Sequence, residues 1–370
     1  MARVNSSGPP AGRPEMVRAA GRPIRVLIVD DSLVARTIIT RMLTSDDFEI
    51  VATASDAQQA IELLRVHQVD IVLLDVEMPG MDGLTALPHI LEASGGARVL
   101  VVSSACAEGA SASVKALTLG AADTLLKPSA GSFAGVFGKL LVDRLLRIGH
   151  APHLEPRSRA TSTPVEAAPE RGPIECLAIG ASTGGLHALS AFFAALPAEF
   201  DAPILITQHL PAEFMPYFAN QLQDMSNRPA TVASDGSRLL PGHLLIAPGD
   251  AHMRLIRFRD GVRARLDRTP AASGCMPSVD PMFASCAEMF GSSAVAVVLS
   301  GMGRDGSIGA ADIVAAGGQV IAQDAETAVV WGMPGAVSNA GLASAVLPPD
   351  RLAQLVGWRS RTAMAGRSWR

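Results

Sequence analysis

Short apolar runs alternate with stretches whose apolar positions recur at helical spacing, and the chain does this twice. In the first half the runs Ile24–Val29, Ile50–Thr53, Ile71–Leu74 and Val99–Val102 read as strands, while Leu33–Leu43, Ala57–Leu64, Val114–Leu119 and Phe133–Leu146 read as helices. Strands joined by helices imply right-handed βαβ units and a parallel sheet. A second run begins with Ile174–Ile179, followed by a helical stretch from Gly185 to Ala195 and the strands Ile204–Thr207, Leu244–Ala247, Ala294–Leu299 and Val320–Ala322. Within it, Arg254–Asp267 alternates as an antiparallel hairpin turning near Asp260-Gly261, outside the parallel core. The expected fold class is α/β twice over: two doubly wound, mainly parallel units, the second carrying a hairpin. Pro88, inside the helix expected after Gly83, should kink or shorten it.

The segments between these runs set the domain expectations. Residues 1–22 are rich in Pro, Gly, Ser and Arg without an apolar stretch of signal-peptide length, and read as a disordered extension. A first domain is expected over 23–148. Residues 149–173 lose nearly all large apolar side chains and read as a linker, followed by a second domain over 174–357 and a basic, solvated tail over 358–370. A chain of 370 residues has room for two cores, and 48% hydrophobic with 18% charged residues is ordinary globular composition. The net charge of −4 gives no electrostatic reason to expect nucleic acid, and no basic recognition helix follows the linker. No stretch approaches the ~20 apolar residues of a membrane span, so no direct membrane insertion is expected. Cys106, Cys176, Cys275 and Cys286 lack Cys-x-x-Cys spacing, which argues against a disulfide framework or zinc site and fits a reducing cytoplasm.

Candidate chemistry collects at the carboxyl ends of the strands, where open parallel sheets bind ligands. In the first domain Ile24–Val29 ends in Asp30-Asp31-Ser32, and Ile71–Leu74 ends in Asp75. Ser103-Ser104 follows Val99–Val102, and Lys127 follows Leu125-Leu126. Any single acid here could be a helix N-cap. Three converging carboxylates instead invite a cation, and hard oxygen ligands suit Mg²⁺.

In the second domain Ile174–Ile179 leads into Gly180-Ala181-Ser182-Thr183-Gly184-Gly185, a turn that lifts Ser182 to the sheet edge beside a helix N-terminus. A phosphate-cradling loop would want Gly-x-Gly-x-x-Gly, and the middle glycine is missing. The next strand delivers His209, and Ala294–Leu299 delivers Ser300-Gly301-Met302-Gly303-Arg304-Asp305-Gly306. Ser182, His209 and Asp305 thus supply the three roles of a triad, which is defined by geometry and not by order. The order Ser, His, Asp disfavours the α/β-hydrolase fold, whose order is Ser, Asp, His.

Asp-Asp-Ser, Leu-Asp-Val-Glu-Met-Pro-Gly-Met-Asp-Gly and Lys-Pro, in that order, resemble the receiver domains of two-component response regulators, which have a flavodoxin-like fold; the likeness covers residues 24–147. It implies Asp75 as phosphoacceptor, Mg²⁺ held by Asp30, Asp31, Asp75 and the backbone carbonyl of Glu77, and Lys127 against the phosphoryl group. Ser103 is the implied switch hydroxyl, with Ser104 the alternative register. Thr124 stands where many receivers carry an aromatic switch residue. Over residues 174–348, Gly-Ala-Ser-Thr-Gly-Gly, Gln-His-x-Pro, Pro-Gly-His-x-x-Ile-Ala-Pro-Gly-Asp-x-His-Met, Pro-Ser-Val-Asp, Gly-Met-Gly-x-Asp-Gly and Gly-Met-Pro resemble the catalytic domain of the chemotaxis methylesterase CheB family. The resemblance implies a cytoplasmic, phosphorylation-activated serine hydrolase that demethylates glutamyl methyl esters on chemoreceptors and deamidates receptor glutamines. It further implies an oxyanion hole from the N–H groups of Thr183 and Met302, a chemotaxis histidine kinase as phosphodonor, and no cofactor for hydrolysis. Ser273-Gly274-Cys275-Met276 departs from the family's polar residues there, and Cys275 is given no role. Two other classes are weighed: a receiver-regulated esterase with another protein substrate, and a non-catalytic binding module, against which the intact triad counts.

Overall fold

The computed structural model describes residues 22–104, 107–127, 134–149 and 172–365. Most of the expected amino-terminal extension and linker, the end of the tail, Cys106 and Pro128 lie outside the described residues.

The first unit alternates strictly: β1 (Ile24–Val29), α1 (Leu33–Met42), β2 (Phe48–Ala54), α2 (Ala57–Val66), β3 (Ile71–Asp75), α3 (Gly83–Ala93), β4 (Arg98–Ser103), α4 (Ala107–Thr118), β5 (Asp123–Leu126) and α5 (Ala134–Gly149). All strand pairs are parallel in the order β2-β1-β3-β4-β5, the flavodoxin-like arrangement whose ligand crevice lies between β1 and β3. The near-continuous apolar runs of β1 and β3 follow from helices covering both faces of the sheet. Ser32, Asp56 and Asp82 cap α1, α2 and α3 with side-chain oxygens. Helix α3 runs eleven residues through Pro88, so the expected shortening does not occur.

The second unit comprises β6 (Cys176–Ala181), α6 (Gly185–Ala195), β7 (Ile204–Gln208), α7 (Met215–Ser226), β8 (Ala230–Val232), β9 (Leu244–Ile246), β10 (His252–Phe258), β11 (Gly261–Asp267), α8 (Val279–Phe290), β12 (Ala294–Val298), α9 (Ser307–Ala315), β13 (Gln319–Gln323), α10 (Met333–Asn339), β14 (Ala345–Leu347) and α11 (Pro349–Ala365). Seven parallel strands are ordered β14-β13-β12-β6-β7-β9-β8, and β10 and β11 pair antiparallel as a separate hairpin. The chain winds outward in opposite directions on the two sides of β6, so the strand-order reversal lies between β6 and β12. A crevice forms at such a switch point. Among the described residues no helix is long and apolar enough to cross a membrane.

Helix α11 corrects the expectation of a solvated tail from residue 358. It continues past Trp358, and Arg359 is buried, donating to Gly172 O, the Gln319 side-chain oxygen at 2.9 Å and Ser292 O at 3.1 Å. A guanidinium satisfied by three acceptors ties the last helix to the beginning of the unit and to β13. Arg359→Ala strands those acceptors and is expected to cost roughly 2 kcal/mol or more. Urea unfolding followed by tryptophan fluorescence reads this without a signal from the first unit, because Trp331 and Trp358 lie in the second unit and Trp369 follows it in the chain.

Candidate active site

The adjacent strands β12, β6 and β7 lead into the three residues expected to carry the chemistry. Ser182 follows β6 in a turn whose next residue but one, Gly184, has φ +75°. A Cβ at Gly184 would meet the Val329 side chain at 2.4 Å, so only glycine allows this approach. The turn is pinned on both sides: Ser182 N–H donates to Ser300 O at 3.0 Å, Ser300 Oγ donates to Thr183 O at 2.7 Å, and Gln208 Nε2 donates to Ser182 O at 2.8 Å. His209 follows β7 and donates its backbone N–H to Ala181 O at 3.1 Å, which ties it beside the serine turn.

Asp305 is 1% exposed and held from three directions. Its Oδ1 accepts from Ser278 Oγ at 2.6 Å, and its Oδ2 accepts from Val279 N–H at 2.7 Å and pairs with His209 Nε2 at 2.7 Å. Burial alone would push the Asp305 carboxyl up, but the bond and charge of His209, with Ser278 and Val279 N–H, outweigh it and hold it well below the usual carboxylate range. Burial would likewise pull the imidazole down, yet Asp305, joined by Cys275, raises His209 to about 9. An ionised Asp305 only accepts, so in the neutral imidazole Nε2 carries the proton and Nδ1 is the free base. Asp280, two residues after Ser278, accepts from the N–H groups of Ile308 and Gly309 at the start of α9; burial and the nearby Asp305 raise it to about 6.

Among the described residues, the backbone N–H groups of Thr183 and Met302 have no hydrogen-bond partner. Gly301, just before Met302, has no room for a side chain, because a Cβ would lie 2.4 Å from Met333 Sδ and 2.9 Å from Ser182 Cβ. Ser278, Gln208 and Ser300 were not singled out as site residues by sequence reasoning. All three fall in quoted stretches, Ser278 in Pro-Ser-Val-Asp, Gln208 in Gln-His-x-Pro and Ser300 at the head of the Asp305 loop, but none was given a role. Cys275, which was given no role, lies beside the pair: Sγ, an imidazole nitrogen of His209 and a carboxylate oxygen of Asp305 lie within 4.8 Å of one another.

The first unit holds the expected acidic pocket. Carboxylate oxygens of Asp30, Asp31 and Asp75 lie within 4.8 Å of one another, and Lys127 Nζ reaches Asp75 Oδ2 at 2.6 Å and Asp30 Oδ2 at 3.2 Å. Burial and the neighbouring Asp30 keep the Asp75 carboxyl above its usual value, although Lys127 opposes this. Glu77 N–H donates to Asp75 Oδ1. The Ser103 hydroxyl is fully buried and shared with Ser113 Oγ at 2.6 Å, whereas Ser104 Oγ donates to the Glu77 carboxylate.

The two units meet at the serine turn. Ala122 O accepts from Gly184 N–H at 2.9 Å, and the buried Asp123 carboxylate accepts from Thr183 Oγ1 at 2.7 Å while paired with Arg144. Arg147 Nη1 lies 2.8 Å from Met302 Sδ. Both residues with unpartnered N–H groups are therefore touched by the first unit.

The His209–Asp305 pair makes a titration prediction. Because the folded His209 value lies above 6.5, its stabilising contribution is fully present below about pH 6.5 and fades as pH rises through about 9. NMR of the imidazole Cε1 proton should follow that titration. In Asp305→Asn the midpoint should fall, since burial is then opposed by Cys275 without the larger bond to Asp305; an unmoved midpoint would show that Asp305 does not set the imidazole's charge.

The CheB methylesterase family model matches residues 177–356, and the response regulator receiver domain model matches residues 26–132. A protein-glutamate methylesterase/protein-glutamine glutaminase of Caulobacter vibrioides is 43% identical over 345 residues, 92% of this chain and 99% of that one. Its counterpart in Azospirillum brasilense is 39% identical, covering 92% of this chain and 93% of its own. The crystal structure of the Thermotoga maritima CheB methylesterase catalytic domain is 38% identical over 50% of this chain and 97% of that chain, with a TM-score of 0.48. With an amino-terminal receiver and a carboxy-terminal methylesterase domain matched along nearly its whole length, the chain belongs to the protein-glutamate methylesterase/protein-glutamine glutaminase family.

Proposed function

We propose that this protein is a phosphorylation-activated serine hydrolase that cleaves glutamyl methyl esters on methyl-accepting chemoreceptors, releasing methanol, and deamidates receptor glutamines by the same chemistry. The observation that carries the proposal is the His209 Nε2–Asp305 Oδ2 pair at 2.7 Å, at strand ends flanking the strand that ends beside Ser182.

Ser182 Oγ attacks the γ-carbonyl carbon and gives its proton to His209 Nδ1, the ring nitrogen that Asp305 leaves free. The tetrahedral oxyanion takes hydrogen bonds from Thr183 N–H and Met302 N–H, each worth about 3 kcal/mol in such a hole. Collapse breaks the bond to methoxide, which leaves as methanol with the proton from His209. Water then attacks the acyl-enzyme, again through His209, and frees glutamate and Ser182. With a primary amide the leaving group is ammonia.

In the receiver, the carboxylates of Asp30, Asp31 and Asp75 with the Glu77 carbonyl fit Mg²⁺, since clustered oxygen donors in a shallow crevice match a small hard cation. That ion would neutralise the oxygens of an arriving phosphoryl group. Asp75 is the phosphoacceptor, a chemotaxis histidine kinase the donor class, and Lys127 the ammonium that shifts from the carboxylates to the phosphoryl group. A switch through Ser103 requires its bond to Ser113 to break, while one through Ser104 requires release of Glu77. Asp123 and Lys127 share β5 and its end, so a rearrangement at Lys127 is transmitted to the Asp123–Thr183 bond. Without phosphate the receiver covers the serine turn and occupies the Thr183 side chain.

Methanol release from methylated receptor membranes tests the chemistry. Ser182→Ala should lower it by about 10³-fold or more, and retained release would remove the nucleophile. The wild-type kcat/KM should rise about tenfold per pH unit below the imidazole's value and level near pH 9, because only neutral His209 accepts the serine proton.

The regulatory contact makes a separate prediction. Asp123→Ala should raise the rate without phosphodonor by about tenfold, the factor corresponding to loss of ~1.4 kcal/mol from the latch. Asp75→Asn should abolish stimulation by a small-molecule phosphodonor in both backgrounds. An unchanged basal rate in Asp123→Ala would reject the latch.

A further inference from the structure

The stretch Ser273–Met276 contributes a group to the triad that the hydrolysis does not use. Its geometry is fixed by a chain of hydrogen bonds: Cys275 N–H donates to Ser273 Oγ at 3.3 Å, Ser273 Oγ to Ser278 Oγ at 3.2 Å, and Ser278 Oγ to Asp305 Oδ1 at 2.6 Å. The loop bearing the thiol is thereby tied to the carboxylate itself. The result is a sulfur, a nitrogen and an oxygen donor within 4.8 Å of one another. Cys275 is partly exposed and the His209 side chain keeps 15% exposure, so solutes reach the group from the open side of the crevice.

We propose that Cys275, His209 and Asp305 form a binding site for a thiophilic divalent cation of the Zn²⁺ class, and that its occupancy inhibits the hydrolase by capturing the imidazole. A mixed thiolate, imidazole and carboxylate set is the donor chemistry that Zn²⁺ favours, whereas Mg²⁺ and Ca²⁺ want oxygen alone. Ligand atoms ~2.0–2.3 Å from one tetrahedral cation lie roughly 3.3–3.8 Å apart, so closure asks for side-chain movements of about 1 Å. Binding releases the thiol proton and any proton on the ligating imidazole nitrogen to solvent, and a water completes the coordination. Ser278 Oγ and Val279 N–H already orient the carboxylate from behind, as outer partners of metal ligands do. Cys176 and Cys286 are buried and offer no competing open site.

Metal binding stands apart from the proposed activity, whereas inhibition rests on it. The test therefore has two readouts on the full-length protein. Titration with Co²⁺ should give a thiolate-to-cobalt charge-transfer absorption at one equivalent, displaced by Zn²⁺. The band should persist in Ser182→Ala and Cys106→Ser but vanish in Cys275→Ser and Cys275→Ala. Absence of the band, or its survival in both Cys275 variants, overturns the site whatever the enzyme does. In the second readout Zn²⁺ should suppress methanol release, reversibly with a chelator. Relative to each variant's own metal-free rate, Cys275→Ser should raise the half-inhibitory Zn²⁺ concentration by more than the roughly tenfold that loss of an outer partner costs. Equal inhibition of wild type and Cys275→Ser overturns the inhibitory role. If the wild type released no methanol at all, the hydrolase proposal would fail while the cobalt band still decided the site.

Discussion

The catalytic unit depends on keeping one negative charge inside the protein. An isolated carboxylate as buried as Asp305 would protonate rather than remain charged. Three donors prevent this: Ser278 Oγ, Val279 N–H and His209 Nε2. Two of them come from the start of α8, so that helix must dock against the crevice before the triad can exist. Its docking is in turn shaped by the close approach of Val279 to Gly180 and Gly306, where a Cβ would lie 2.6 Å and 2.9 Å from Val279 Cγ1. The glycines at the strand ends serve helix packing as much as the serine turn.

A parallel sheet gathers chemistry at one edge, and both units use that edge. In the first, the ends of β1, β3 and β5 collect three acids and a lysine. In the second, the ends of β12, β6 and β7 collect a carboxylate, a serine and a histidine. The receiver then lays its own β5 edge, at Ala122 and Asp123, on the serine turn. A charge rearrangement at Lys127 and a backbone contact at Gly184 are thereby separated by little more than one short strand.

Much of this was legible in the sequence, because it depends on local pattern. Buried strands of a parallel sheet are nearly all apolar, so β1, β3, β6 and β12 stand out, and the residues just after them are the candidates for chemistry. The hairpin turning near Asp260 followed from alternation. The short edge strands β8 and β14 carry no such pattern: each is three residues long and only partly buried. Helix α11 was cut too early because Arg359 reads as a surface charge until its acceptors on Gly172, Ser292 and Gln319 are visible. Cys275 is the clearest limit. Its spacing to His209 and Asp305 in the chain says nothing, since the loop is brought to the triad by the Ser273–Ser278 hydrogen bonds. Asp123 was unreadable for the same reason, as its partners Arg144 and Thr183 lie on a different helix and in a different unit.

The proposed latch must be weak enough for one phosphoryl group to open. Its polar part consists of a charge-assisted bond to Thr183 and a backbone bond to Gly184, together roughly 2–4 kcal/mol. That range corresponds to between about thirtyfold and several hundredfold in population. Holding such a switch ninety-nine per cent closed takes about 2.7 kcal/mol, half of the roughly 5.5 kcal/mol that carries it to ninety-nine per cent open, so two such bonds are of the right size. The packing of α4 against α6 and α7, where Val114 is buried, adds to them. Helix α4 also carries Ser113, the partner of Ser103. Under the proposed regulation through Ser103, a hydroxyl leaving Ser113 for a phosphoryl oxygen would alter the same helix that packs on α6 and α7, and the polar latch and the apolar contact would be released by one event.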